Sequence, residues 1–361
     1  MADTFSHARE LILKYGWNST CFQIVNPGIR RWFSDKGDAV VGYVTANGVR
    51  VVAGAPVCEI TRLGDVVGDF ESDAQRNNEG ICYFAAEERL GETLANNERH
   101  SRFVIGAQPV WDPHAWPSIV ASNRSLRAQI NRAGNKGVTV SEWPVEKATG
   151  NERLAGLLAD WLRSKGLPPL RFMVESDTLS RLENRRIFVG EANGEIVGFV
   201  VLSPVAQRNG WLFEQFPHRP GAPNGTVEAM IDTAMRSIAD DGAAYATLGL
   251  SPLSKRADVE LTPIPLWLKI TLVWLRKHGQ RFYNFDGLDA FKSKLKPTRW
   301  EPVFAVSLEP RVSFKTLYAI AGAFSGNAPV KVFINGLGRA VLSEMRWLKR
   351  KLRRQISKNA R

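Results

Sequence analysis

The chain has 361 residues, 44% of them hydrophobic and 23% charged, which suits a folded protein of two-domain length and excludes a disordered one. Its three cysteines, Cys21, Cys58 and Cys82, are widely spaced with no Cys-x-x-Cys pair, which excludes a disulfide framework and reads as buried free thiols in a reducing compartment. The formal charge of +12 is uneven: residues 331–361 hold ten Lys/Arg against Glu344 alone, a net +9 that leaves +3 for the first 330 residues, so the excess points to a polyanionic partner of the tail.

The opening MADTFSHARELILKYGW mixes charges into its apolar positions, unlike a signal peptide. No uncharged apolar run reaches the roughly 18 residues of a membrane span, and a cytoplasmic location is expected. Residues 3–15 suit a helix. AVVGYVT (39–45) and VRVVAG (49–54) flank a hairpin connection at Ala46-Asn47-Gly48. A helix over 63–77 and a core strand ICYFAA (81–86) follow, then a basic helix, SNRSLRAQINRAGNKG (122–137), from which VTVSEW (138–143) leads away.

The second half has a similar rhythm. A helix covers 151–165, and RRIFVGEA (185–192) and EIVGFVVLSP (195–204) form a hairpin around Asn193-Gly194. Next come a strand GWLFEQFP (210–217), a helix over 226–242, a strand AAYATLGL (243–250), an apolar helix over 264–278 and a last strand EPVFAVSL (301–308). Helix, hairpin, strand, helix, strand, helix, strand is the order of an acetyltransferase-like unit. The expected fold is therefore α/β (α+β mixed sheets), with tandem acetyltransferase-like domains over 1–145 and 146–310, the second catalytic, and a basic amphipathic tail over 311–361.

No G-x-x-x-x-G-K-[ST], H-E-x-x-H or G-x-S-x-G motif occurs, and the five histidines (7, 100, 114, 218, 278) are scattered, so no metal site is expected. The strongest local signal is HRPGAPNGTVEAMI (218–231). Its Asn224-Gly225-Thr226 begins a helix whose free N–H groups suit an anion or developing oxyanion, or simply form a cap. The Q/R-x-x-G-x-G/A loop that holds CoA pyrophosphate in acetyltransferases is absent, and Pro223 removes one N–H donor; no CoA or other cofactor is expected. Residues 282–302, FYNFDGLDAFKSKLKPTRWEP, run from a strand-like Phe282, Tyr283 and Phe285 through a Gly turn to Lys292, Lys294 and Lys296, closed by Pro297, Trp300 and Pro302. On a helix Lys292 and Lys294 fall about 200° apart, and so do not act as a pair.

Taken together, R-P-G-A-P-N-G-T-V-E, LGLSPLS (248–254) and F-D-G-L-D-A-F-K-S-K-L-K-P-T-R-W-E-P resemble the C-terminal synthase domain of the phosphatidylglycerol lysyltransferases (multiple peptide resistance factors). LILKYGWNST, AGAPV (53–57) and SLRAQINRAGNKGVTV (125–140) extend the likeness, in matching order, over residues 5–308. The resemblance implies tandem acetyltransferase-like folds that pass an aminoacyl group from aminoacyl-tRNA to the glycerol hydroxyl of phosphatidylglycerol, without CoA or metal. Three departures stand out: no multi-helix flippase segment precedes, Ala55 occupies the Asp position of a usual Gly-Asp-Pro, and the basic tail lies outside the shared pattern. A Fem-like transfer to a peptidoglycan precursor and a non-catalytic lipid- or tRNA-binding module are the alternatives.

Aminoacyl transfer to an alcohol needs a base, oxyanion stabilisation and an acid for the departing ribose oxygen. The catalytic candidates are Glu228, as α-ammonium contact, base or mere dipole stabiliser; Lys292 and Lys294, one meeting a lipid phosphate or the tRNA 3′ end; and Asp286 as an alternative. Arg219 is the candidate phosphate or carbonyl clamp, with Asn224, Gly225, Thr226, Arg299 and Trp300 completing the substrate-binding set. Arg124, Arg127, Arg132 and Lys136 either track phosphates of the tRNA acceptor arm or form a solvated face. IPLWLKITLVWLRKH (264–278) reads as core or as the wall of an acyl-chain groove. In the tail, Leu337, Val341, Met345, Leu348, Leu352 and Ile356 make an apolar stripe, with Trp347, Lys349, Arg350, Lys351, Arg353 and Arg354 on the other faces. That pattern suits a helix on the anionic inner face of the membrane, or an RNA-binding surface. The expected partners are aminoacyl-tRNA and anionic phospholipid.

Overall fold

A computed structural model describes residues 4–95, 97–164, 172–173, 179–257, 265–268 and 285–325. The first half contains α1 (Thr4–Tyr15), β1 (Arg30–Phe33), β2 (Val40–Ala46), β3 (Val49–Ala53), α2 (Leu63–Arg76), β4 (Gly80–Ala86), α3 (Glu88–Thr93) and β5 (Ser101–Trp111). Then follow α4 (Trp116–Ser122), α5 (Arg124–Asn135), β6 (Thr139–Trp143), α6 (Val145–Ala148), α7 (Glu152–Ser164), β7 (Arg186–Ala192), β8 (Glu195–Val205) and β9 (Gly210–Gln215). The rest is α8 (Thr226–Asp240), β10 (Tyr245–Thr247), β11 (Ser251–Pro252), α9 (Phe285–Lys294), β12 (Arg299–Ser307) and α10 (Phe314–Ser325).

Local chemistry explains the elements. Both tight hairpins turn on an Asn-Gly pair with positive φ at each residue, the conformation that matches strand twist. In α2 the buried Leu63, Val66, Val67, Phe70 and Ala74 recur at helical spacing and seat the helix on the sheet. Along β7, Ile187 and Val189 belong to the core under α7, whereas Phe188 between them belongs to the core under α8. The sheet therefore carries helices on both faces, and its inner strands β3 and β8 are buried along almost their whole length rather than on alternate residues.

Among the described residues the strands form one mixed sheet in the order β1-β2-β3-β4-β12-β5-β10-β9-β8-β7-β6, with β11 also on β5. The run β2-β3-α2-β4 pairs its strands antiparallel then parallel, and β8-β9-α8-β10 does the same. Each parallel pair is then completed by an antiparallel strand from the other half: β12 lies on β4, and β5 on β10. A boundary at residue 145 puts β6 with the first half and β12 with the second. Hydrogen bonding instead puts β6 at the edge beside β7, and β12 between β4 and β5. Phe285, expected to close a strand, begins α9, and the helix expected over 264–278 lies largely outside the described residues.

Candidate active site

The site begins with a break in strand pairing. Thr247 pairs with Val110 and Ser251 with Ala107, so three residues, 248–250, stand opposite two. This bulge carries the chain from β10 to β11 and turns the carbonyls of Gly249 and Leu250 out of the ladder. Gly106 permits it: a Cβ there would lie 2.2 Å from the Ser251 carbonyl oxygen.

Helix α9 supplies the partner for those carbonyls. The Lys292 side chain is buried, the residue only 3% exposed, and its Nζ donates to Gly249 O at 2.8 Å and Leu250 O at 3.0 Å. Burial lowers its pKa from 10.5 to about 7, the charge of Asp289 one turn back opposing this only in part. A neutral amine has two N–H bonds and one lone pair. In its neutral form Lys292 gives both N–H groups to these carbonyls and keeps its lone pair for a further partner.

The same helix is held at its middle and at its C-terminal end. Asp289 accepts from Ser254 Oγ at 2.6 Å and Arg256 Nε at 2.7 Å, fastening the 248–256 loop to α9. At its C-terminus, the Lys294 carbonyl accepts from Asn123 Nδ2 at 2.8 Å and the Leu295 carbonyl from Trp111 Nε1 at 3.1 Å. Asn123 also caps α5, accepting from Leu126 N at 3.2 Å. These bonds satisfy carbonyls that a helix end leaves free, and they fix Lys292 against the bulge.

Lys294 points elsewhere, as the helical spacing predicts. Its Nζ lies 3.5 Å from Glu228 Oε1, in the first turn of α8, with the Glu228 side chain 12% exposed. Gly225 places that turn: it has φ +93°, and a Cβ there would lie 2.0 Å from Gln129 O of α5. The helix start is less open than the sequence suggests. The Thr226 hydroxyl donates to Pro223 O at 2.6 Å, and the Thr226 N–H reaches the same oxygen at 3.1 Å.

The structure thus pairs Lys294 with Glu228 and sets Lys292 on another face of the same helix, against the Gly249 and Leu250 carbonyls, and it does not bring the whole predicted set together. Arg219 is exposed, its Nη2 3.3 Å from Glu195, and Asn224 is exposed. Arg299 lies on β12 with its Nη2 2.7 Å from Glu301, and Trp300 packs under the Arg256 guanidinium at 5.4 Å. Asp286 is exposed at the start of α9. Arg124, Arg127 and Arg132 on α5 and Lys136 just after it are all exposed, and none forms an ion pair with the described residues. The tail residues Trp347, Lys349, Arg350, Lys351, Arg353 and Arg354 lie outside the described residues.

Two clusters escape a sequence reading. Asp289 anchors the loop, and its only sequence signal is its i, i+3 spacing to Lys292. The second is a buried knot at the seam of the sheet. Arg208 donates to Glu87 Oε2 at 2.9 Å and to both oxygens of Glu301, at 2.8 and 2.5 Å, and stacks 3.8 Å from the Tyr245 ring centroid. Gln108 joins it to Ser19, Tyr245 and Glu301. These groups lie far apart in sequence with no shared motif. Among the described residues no cluster of His, Cys, Asp and Glu suited to a metal ion is found.

Fold and site define a mixed-sheet α/β protein whose two halves share one sheet, with a desolvated lysine at a strand bulge and a Glu–Lys pair at the start of a helix. The family model for the phosphatidylglycerol lysyltransferase C-terminal region matches residues 9–307, and the chain belongs to that family. It is 24% identical over 293 residues to a phosphatidylglycerol lysyltransferase of Bacillus subtilis (strain 168), covering 81% of this chain and 33% of that protein, so it spans about a third of that relative. The fold matches a crystal structure from Agrobacterium fabrum, the C-terminal domain of a putative lysylphosphatidylglycerol synthetase, with a TM-score of 0.76, 19% identity, and coverage of 90% of this chain and 97% of that one. For L-PGS from Bacillus licheniformis the TM-score is 0.71, with 20% identity and 93% and 97% coverage; for FemX it is 0.57, with 11%, 89% and 98%. No helix among the described residues is long and apolar enough to cross a membrane.

Proposed function

We propose that this chain transfers an aminoacyl group from aminoacyl-tRNA to a hydroxyl of phosphatidylglycerol or a related lipid. The observation that carries the reading is Lys292, buried and donating to the Gly249 and Leu250 carbonyls where burial disfavours its charge, in a family named for phosphatidylglycerol lysyltransferase. In this mechanism Lys292 takes the proton of the acceptor hydroxyl as its oxygen attacks the ester carbonyl. The carbonyl–ribose bond breaks as the new ester bond forms, and the same proton passes from Lys292 to the departing ribose oxygen. A base with a pKa close to working pH is suited to both steps. The Glu228 carboxylate receives the α-ammonium of the aminoacyl group, and Lys294 faces the developing negative charge. The exposed basic face of α5, whose Gln129 backbone lies against the start of α8, tracks the tRNA backbone.

Incubating the chain with charged tRNA pools and mixed lipids, and weighing the products, tests the reading. An amine-bearing phospholipid is expected. A labelled cell-wall precursor instead would move the chain to a Fem-like role, and no product would leave a binding module. Glu228→Gln is expected to lower transfer about 100-fold with little change in thermal stability. Wild-type turnover in that variant would remove Glu228 from the chemistry.

The proposed membrane contact rests on an exposed apolar patch that includes the first described helix of the 311–361 segment. Leu266, Phe314 and Tyr318 are 72%, 67% and 44% exposed, and Trp267 stacks on Phe314 with ring centroids 4.0 Å apart. Phe314 and Tyr318 are one helical turn apart on α10, with Lys315 between them. Aromatic groups edged by lysine suit the interfacial layer of an anionic leaflet. The paired change Phe314→Ser and Tyr318→Ser is expected to weaken binding to phosphatidylglycerol vesicles about tenfold in flotation. Undiminished flotation would put the contact elsewhere.

A further inference from the structure

We propose that the first half holds a second binding site, a narrow cleft around Arg89 that takes a phosphate-type oxyanion. The cleft is lined by Tyr15, Trp17, Asn18, Ala55, Cys58 and Arg89 among others, and no carboxylate lines it. Arg89 is half-buried, its guanidinium 4.7 Å from the Trp17 ring centroid, and no ion pair or side-chain hydrogen bond satisfies it among the described residues. Burial lowers its pKa, and only Cys58 acts against this. That thiol cannot compensate: burial raises its own pKa to about 11, so it is neutral at physiological pH.

The neighbouring guanidinium shows what Arg89 lacks. Arg208 lies 5.1 Å from the same Trp17 ring, yet it holds Glu87 and Glu301. Glu87, adjacent in sequence to the helix that carries Arg89, is committed to Arg208 and to the Ser19 N–H at 2.6 Å. A desolvated cation without a counter-charge is costly, and a planar guanidinium stacked on an aromatic ring presents its fork to a planar or tetrahedral oxyanion. Nearby, the buried Thr20 hydroxyl has no partner and, like Asn18, lies close to Gly54.

Topology supports the assignment independently. The cleft is bounded by residues that follow β3 (Ala55 to Cys58), begin α2 (Leu63) and follow β4 (Arg89, Leu90). In the second half, Lys292 and Glu228 gather beyond β10 and at the start of α8, the equivalent positions of the repeated β-β-α-β run. Ligands of open α/β sheets bind outside the carboxyl ends of the strands, and this cleft occupies that place in the first half.

Calorimetric titration of the full chain with inorganic phosphate at constant ionic strength tests the site. Saturable binding is expected, about tenfold weaker in Arg89→Gln and intermediate in Arg89→Lys, which keeps the charge but loses the fork. Equal binding in all three, or none in the wild type, overturns it. Crystals of the wild type soaked in selenate give a readout that needs no variant: anomalous density against the Arg89 guanidinium supports the site, and density only elsewhere overturns it. Glycerol phosphate in place of phosphate then separates a headgroup from a free anion, since tighter binding assigns the headgroup and equal binding the anion. The test reads binding alone, so its failure is distinct from failure of the transfer reading.

Discussion

Lys292→Met is expected to reduce aminoacyl transfer by about 100-fold or more while leaving the chain folded and, near pH 7, at least as stable as the wild type. The two halves of that expectation come from one physical fact. The amine sits at pKa about 7 instead of 10.5 because burial penalises its charge, so keeping it in place costs roughly 5 kcal/mol at about 1.4 kcal/mol per pKa unit. Methionine removes that cost, while the carbonyls of Gly249 and Leu250 lose their donor at about 1–3 kcal/mol each. The terms nearly cancel or favour the variant. Their pH dependence does not cancel. With the folded pKa below the unfolded one, the unfolded chain binds more protons between pH 7 and about 10, so the lysine makes wild-type stability rise across that window. The wild type should therefore gain on Lys292→Met by up to about 1.4 kcal/mol per pH unit as pH rises above 7. Urea midpoints at pH 7, 8 and 9 measure it. Parallel curves would mean that Lys292 is charged in the fold, and the proton-shuttle role would go with them.

Much of this site is legible in the sequence because it is local. Lys292 and Lys294 are two apart on what proves to be a helix, and their separation onto a carbonyl pair and a carboxylate follows from helical geometry. The positive φ of Gly225 and the hairpin turns follow equally from residue type. What is not legible is non-local. β5 stands at the centre of the sheet, yet Gly106 and Pro109 interrupt its apolar run and hide it from strand patterning. Its glycine is there for the close approach of Ser251, a residue far along the chain. The start of α8 reads as an open anion site, but the Pro223 carbonyl already engages Thr226 and α5 backs onto Gly225. Only the packed chain shows a helix start committed to its own turn.

Arg208→Met is expected to destabilise the protein by about 3–5 kcal/mol, the usual result of leaving buried carboxylates without their cation. Burial opposes the charge of Arg208, but the Tyr245 side chain and the carboxylates of Glu301 and Glu87 outweigh it and hold the guanidinium charged. Glu87 is the more exposed to the loss: burial already pushes its pKa above the ordinary carboxylate value, with Arg208 the main force against it. Without that cation its pKa should climb further. The variant should then recover stability as pH falls toward the raised value, because the folded state takes up a proton that the unfolded state does not. Adding Glu87→Gln to Arg208→Met should restore part of the loss at neutral pH. The location gives the effect its reach. Ser19 and Glu87 come from the first half, Arg208 and Tyr245 from the second, and Glu301 from the strand the second half lends to the first. A sheet completed by exchanged strands gives neither half a closed edge of its own, so unfolding should remain a single transition in wild type and variant alike. Two transitions in the variant would show that the halves stand independently and that the knot merely decorates their contact.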